Sequence, residues 1–266
     1  MSNDLPAQMQ AHIDSADNYY KQLPRVNLQE GGTTVVYRTT NKVSALRVLS
    51  LYQKEPETID WISRMSAEDI LYDIGANIGL YTIWAAATRK LRAYAFEPES
   101  GSYALLCGNI FDNRLGERVR AYCLGLSDKT GLSEIMLTSP DPGTSGHQVM
   151  NAMTDTIVPH TRQFPPGVVT TTLDQLVFEH GLPCPTCIKV DVDGLEPAIV
   201  HGATRVLADP RVRSVLIEFN LRDALHLQTI DRMTSAGFTK DDATHQKVQQ
   251  KTTGGNAFIG NIIFNR

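Results

Sequence analysis

An open α/β architecture, with a mostly parallel sheet covered by helices on both faces, is the fold class this sequence predicts, and three observations carry it. Short apolar runs near 69–74, 91–96, 119–123, 187–192, 212–219 and 257–264 read as strands. Between most of them, Leu80 to Ala87, Ser102 to Phe111, Leu195 to Leu207 and Ala224 to Ala236 place apolar residues three and four apart, the period of a helix with one buried face. Strands that alternate with such helices form parallel pairs buried on both sides. The third observation is Leu71-Tyr72-Asp73-Ile74-Gly75-Ala76-Asn77-Ile78-Gly79, a strand that runs through a glycine turn into a helix. Ligands in such a fold collect at the carboxyl ends of the strands.

Taken in order, residues 1–66 read as a polar and helical N-terminal extension, and 67–266 as the α/β domain. In the first strand and its turn, Gly75 and Gly79 let the backbone bend sharply and approach a ligand, and the helix that follows offers unpaired N–H groups. The second strand pattern, Arg92 to Phe96, runs into Glu97, where an open α/β sheet sets an acid against ribose hydroxyls. Two strand ends thus converge on one nucleoside. A dinucleotide site needs G-x-G-x-x-G so that a pyrophosphate can rest on the helix N-terminus, but Asn77 stands at the second glycine and no third follows. S-adenosylmethionine carries no phosphate, and its ammonium and sulfonium favour an acid such as Asp73 just before the turn. D-x-G-x-N-x-G with Asp73, Gly75, Asn77, Gly79 and then Glu97 is therefore read as an S-adenosylmethionine site, with a nicotinamide site as the alternative. Asp73 and the glycines could also form only a tight turn, which explains the glycines but not the two placed acids.

Residues 139–168 interrupt the rhythm with Pro140, Pro142, Gly143, Gly146, Pro159, Pro165, Pro166 and Gly167 and few periodic apolar positions. This interval is expected to be a substrate-facing lid carrying His147, Asn151 and His160, of which His147 is a candidate general base. In the fourth strand, Ile188 to Gly194, alternation turns Lys189, Asp191 and Asp193 to one face, with Asp191 beside the transferable methyl. Asp193 is expected to cap the next helix, and Glu196 to sit in its first turn, favoured by the helix dipole. The fifth strand ends in Glu218 and Asn220. Asp191, Glu218 and then His147 are the candidates to take a proton from an acceptor hydroxyl. Asp191, Glu218 and Asn220 could instead meet as oxygen ligands of a magnesium or calcium ion, an arrangement weighed against direct binding of substrate hydroxyls, which is preferred.

Several motifs in one order extend the reading: Glu55-Pro56-Glu57-Thr58-Ile59-Asp60-Trp61-Ile62, Tyr72 to Asn77, Ala95-Phe96-Glu97-Pro98-Glu99, and Ile188 to Gly194 with Glu196. Together, over about 40–264, they resemble the FkbM family of S-adenosylmethionine-dependent methyltransferases. The resemblance implies a Rossmann-like class I methyltransferase fold with seven strands. It also implies O-methylation, commonly of sugar hydroxyls in polysaccharides, glycolipids or secondary metabolites.

Composition agrees with one enzyme domain. The chain has 266 residues, 42 % of them hydrophobic, enough for one substantial core. A net charge of -4 and a pI near 6.0 give no electrostatic reason to expect a nucleic-acid partner. No positive, apolar leader and no membrane-length apolar run is evident, so a cytoplasmic location and a small-molecule or glycan acceptor are expected. Cys184 and Cys187 form a C-x-x-C, but Cys107 and Cys123 fall in a helix and a strand pattern, so loop and core thiols are expected rather than a zinc site. The non-enzyme alternative is a nucleoside-binding or scaffold protein of the same fold.

Overall fold

The computed structural model describes residues 6–149, 165–255 and 257–266. Helix α1 (Ala7–Lys21) precedes a hairpin of β1 (Arg25–Glu30) and β2 (Thr33–Arg38), then α2 (Lys42–Leu49), α3 (Leu51–Lys54) and α4 (Pro56–Ser63). The alternating part follows as β3 (Ile70–Ile74), α5 (Leu80–Arg89), β4 (Arg92–Phe96), α6 (Ser100–Asp112) and β5 (Val119–Tyr122). Next come β6 (Gly125–Leu126), β7 (Gly131–Met136), β8 (Gln148–Val149), β9 (Gly167–Thr171) and α7 (Leu173–Phe178). The chain finishes with β10 (Cys187–Val190), α8 (Glu196–His201), α9 (Thr204–Ala208), β11 (Ser214–Asn220), α10 (Ala224–Ser235), β12 (Thr239–Lys240), α11 (Asp242–Gln250) and β13 (Ile259–Asn265).

The central sheet has seven strands in the order β12-β13-β11-β10-β3-β4-β5. β10, β11, β3, β4 and β5 pair in parallel, and β13 runs antiparallel to both its neighbours. Strand order reverses between β3 and β10, so their carboxyl ends open a crevice. Each of β3's five residues is buried, as a central parallel strand requires. Alternation divides them: Tyr72 and Ile74 pack with Phe96, Ile188, Ile217 and Phe264 on one face, and Leu71 packs with Ala93, Leu216, Ile83 and Trp84 on the other. Ala85, Ala86 and Ala87 are small enough for α5 to lie close on that second face. Burying side chains such as Trp84, Phe96 and Phe264 contributes on the order of 2–3 kcal/mol each.

Two boundaries differ from expectation. Residues 1–66 are not merely an extension: Val35, Tyr37, Val48, Leu51, Trp61 and Ile62 belong to the core, and the Tyr37 hydroxyl donates to the Leu80 carbonyl at 2.8 Å. The β1–β2 hairpin carries little sequence signal because its alternation is polar on the exposed side and its turn, Gly31-Gly32, is short. The interval 139–168 is likewise only partly loop. β8 and β9 join β6 and β7 in a second, four-stranded sheet ordered β6-β9-β7-β8. Asn151 and His160 lie outside the described residues. Among the described residues no helix is long and apolar enough to cross a membrane. All four cysteines are free, and burial pushes the Cys187 thiol up to about 12, a poor metal ligand or nucleophile.

Candidate active site

The carboxyl ends of β3, β4, β10 and β11 surround a cavity of about 860 Å³. Its floor depends on glycine. Gly75 has φ +79°, and a Cβ there would stand 1.9 Å from the Asp191 carbonyl oxygen, so the two strand ends approach each other only because no side chain intervenes. Gly79, at φ +80°, begins α5 where a Cβ would meet Leu106 at 2.4 Å. Asn77 adopts φ +52°, a left-handed conformation that asparagine tolerates. Its backbone N–H donates to Glu97 Oε2 at 2.8 Å, and its amide donates to the Thr144 carbonyl at 2.8 Å. The second Glu97 oxygen accepts from the Glu99 N–H at 2.8 Å. Glu97 is thus pinned on the cavity wall with lone pairs to spare. Burial pushes its carboxyl up to about 7, against the pull of the two N–H groups.

Asp73 lies beneath this floor rather than on the cavity wall. Alternation turns it toward α5, where its Oδ2 accepts from the Thr82 hydroxyl at 2.5 Å. Lys189 Nζ stands 4.0 Å from Oδ1, which has no hydrogen-bond partner among the described residues. Burial raises the Asp73 carboxyl, with Lys189 and Thr82 opposing. The same ammonium donates to Asp191 Oδ2 at 2.7 Å and lies 5.1 Å from the Tyr81 ring centroid. Burial alone would raise Asp191, but the Lys189 charge outweighs it and holds the carboxyl below its ordinary value. Asp191 is therefore a fixed anion and a weak base, which removes it from first place among the proton acceptors.

Glu196 stands in the first turn of α8 as expected, whereas Asp193 does other work than capping that helix. The N-cap of α8 is Leu195 and has no side-chain cap. Asp193, at φ +56°, instead accepts from the Gly146 N–H at 2.6 Å and so holds the 139–147 loop on the cavity. Glu196 is 1 % exposed and accepts from the Val192 N–H at 2.9 Å and the Gly194 N–H at 3.0 Å, bracing the turn after Asp191. Burial, joined by the charges of Asp191 and Asp193, pushes it up to about 8.

Glu218 lines the cavity with no hydrogen-bond or ion-pair partner among the described residues. Burial first, then the neighbouring charges of Asp191, Glu196 and Asp193, push its carboxyl up to about 9. Asn220 also lines the cavity, and its Oδ1 accepts from the Arg222 N–H at 3.1 Å. Lys189 holds Asp191 Oδ2 and the Arg222 N–H holds Asn220 Oδ1, so two of the three oxygen donors of the metal alternative already have partners. Among the described residues no three His, Cys, Asp or Glu side chains come together as a metal site. His147 also lines the cavity, and burial lowers its pKa, so the ring is neutral near pH 7. The Thr138 N–H donates to its Nδ1 at 3.2 Å, which leaves the ring proton on Nε2. In that tautomer Nε2 carries the proton and cannot act as the base, and it is buried without a hydrogen-bond partner among the described residues. Sequence reasoning assigned no role to Lys189 or Arg47. A lysine inside a buried strand was the available signal for the first; the second lies on a distant helix and carries none.

A sheet ordered 3-2-1-4-5-7-6 in chain order of its strands, with a glycine turn after the first and an acid after the second, defines the Rossmann-like class I methyltransferase architecture. Residues 73–240 match the Methyltransferase FkbM domain family, and the chain belongs to that family. The hexuronic acid methyltransferase AglP of Haloferax volcanii is 29 % identical over 154 residues, which cover 58 % of this chain and 56 % of that protein. A crystal structure of methyltransferase FkbM from Methylobacillus flagellatus KT is 14 % identical with a TM-score of 0.49, covering 98 % of this chain and 60 % of that one. The chain thus spans little more than half the length of either. The N-terminal domain of human METTL16 in complex with SAH is 11 % identical with a TM-score of 0.45, covering 99 % and 95 %. Neither structural likeness reaches a TM-score of 0.5, and neither bears on activity.

Proposed function

We propose that this chain methylates a hydroxyl of a sugar, whether in a polysaccharide, a glycolipid or a secondary metabolite, with S-adenosylmethionine as the methyl donor. The observation that carries the reading is the unpartnered Glu218 carboxyl facing a cavity whose walls also hold Glu97 and Asp191. Acids raised in pKa by burial and by one another favour a cationic ligand, and the chemistry of S-adenosylmethionine fits them. The pyrophosphate of a nicotinamide cofactor would meet the Asp191 anion unfavourably. The curated archaeal relative is described as a hexuronic acid methyltransferase, which supports a sugar acceptor.

When bound, S-adenosylmethionine supplies an electrophilic methyl carbon on a sulfonium. Glu97 and the backbone around Asn77 would hold the ribose, and the Asp191 anion, kept charged by Lys189, would favour the positive end of the cofactor. Asp73 would act through Lys189 and Thr82 from beneath. Glu218, once deprotonated, would take the acceptor's hydroxyl proton and so make the alcohol nucleophilic toward the methyl carbon, with the sulfur–methyl bond breaking and S-adenosylhomocysteine as the leaving group. A lone cation entering the cavity lowers the Glu218 pKa toward the working range.

Isotope-labelled S-adenosylmethionine with a panel of neutral and acidic sugars, read by mass spectrometry, tests the proposal: label is expected on a sugar oxygen. Binding of NAD in place of S-adenosylhomocysteine would favour the oxidoreductase. Binding of S-adenosylhomocysteine without label transfer would favour a non-catalytic nucleoside-binding protein.

A further inference from the structure

Arg47 stands in the last turn of α2, half-buried on the wall of the cavity. Its Nε donates to the Gly143 carbonyl at 2.9 Å, while Nη1 and Nη2 have no hydrogen bond or ion pair with the described residues. That isolation contrasts with the chain's other arginines beside acids: Arg25 and Arg38 pair with Asp112, Arg211 with Asp209, and Arg213 with Asp69. Carboxyls are not scarce around it, for Glu55, Glu97, Asp191, Asp193 and Glu218 line the same cavity, yet the guanidinium docks on none of them.

Its aim is fixed from behind. Gly143 occupies φ +91°, and its N–H donates to Ser102 Oγ at 3.0 Å. The flanking carbonyls of Pro142 and Thr144 accept from Asn41 and Asn77 at 2.9 and 2.8 Å. The Nε bond to this strapped segment holds the guanidinium on the cavity wall and leaves its two terminal nitrogens without a partner among the described residues, the fork that matches a carboxylate. We propose that Arg47 is the carboxylate-recognition residue of the cavity. Resting on the function proposed for the site, two molecules present such a group: the amino-acid end of S-adenosylmethionine and an acidic sugar acceptor. Both offer the same chemistry to the arginine.

Calorimetry with four ligands separates the sources. S-adenosylhomocysteine is paired with 5′-methylthioadenosine, which shares its nucleoside and sulfur but lacks the carboxylate; glucuronate is paired with glucose, titrated into protein saturated with S-adenosylhomocysteine. Arg47→Gln is expected to weaken the carboxylate-bearing member of one pair by roughly tenfold or more, the loss of a charge-assisted bond, and to spare its carboxylate-free partner. The pair affected names the source. Arg47→Lys keeps the charge and removes the Nε tie to Gly143. Discrimination kept by lysine and lost by glutamine supports the proposal; equal loss across all four ligands in both variants overturns it, as does no change at all. Should the wild-type protein bind neither nucleoside, the methyltransferase reading falls, and the sugar pair in ligand-free protein still decides Arg47: no preference for glucuronate rejects it.

Discussion

Lys189 donates to Asp191 across 2.7 Å at the carboxyl end of β10, and the lysine is 1 % exposed. One buried ammonium thereby compensates two carboxyls, since Asp73 lies 4.0 Å away on its other side. Lys189→Met should destabilise the fold by about 3–5 kcal/mol, the cost of leaving a buried charge without its partner. The deficit should shrink as pH falls and the stranded carboxyls protonate. Chemical denaturation measures both, and a variant as stable as wild type at pH 7 would remove this assignment.

Glu97→Ala should weaken S-adenosylhomocysteine binding by about 1.5–3 kcal/mol, the range for hydrogen bonds to a charged group. Because Glu97 also accepts from Asn77 and Glu99, part of any loss could come from a loosened turn. A melting curve on the same sample separates the two. Unchanged affinity by calorimetry would sink the ribose contact.

The pH profile should report Glu218. With its carboxyl pushed up to about 9, the free protein carries it protonated at pH 7, so kcat/KM should rise with pH toward that value. Glu218→Gln should abolish most turnover and the rise with it. Stability moves the other way. Between the ordinary carboxylate pKa and about 9 the folded state holds a proton the unfolded state has released, so wild-type stability falls as pH rises through that window. Relative to wild type, Glu218→Gln should gain stability there; identical melting differences at pH 5 and pH 9 would contradict the raised pKa.

Chelation supplies another check. Asp191 is engaged by Lys189 and Asn220 by the Arg222 N–H, so turnover should be indifferent to EDTA. Loss of activity with EDTA and its return with magnesium would reinstate the metal alternative.

Much of the frame is local. β3, β4 and β10 are short apolar runs and α5 has helical spacing, so each can be read from a window of a few residues; Gly75, Asn77, Gly79 and Glu97 follow because one turn and one strand end suffice to place them. The β1–β2 hairpin and the second sheet needed partners elsewhere in the chain, and their short, half-polar strands carry little periodic signal alone.

Chemical roles were decided later still. By sequence, Asp191 and Glu218 are acids on neighbouring strand ends, with Asp191 the first candidate to take a proton. In the fold a lysine two residues away turns its ammonium onto Asp191 and keeps it an anion, whereas Glu218 meets only buried surroundings and like charges and is held neutral. His147 depends likewise on a single backbone N–H, that of Thr138, which sets its tautomer. Arg47 reaches the cavity from a helix outside the alternating strands and helices. Residue type and spacing therefore determined which groups arrive at the strand ends. Charge state and proton position belong to the tertiary structure, because desolvation and Coulomb energy depend on distances between groups that the chain order does not contain.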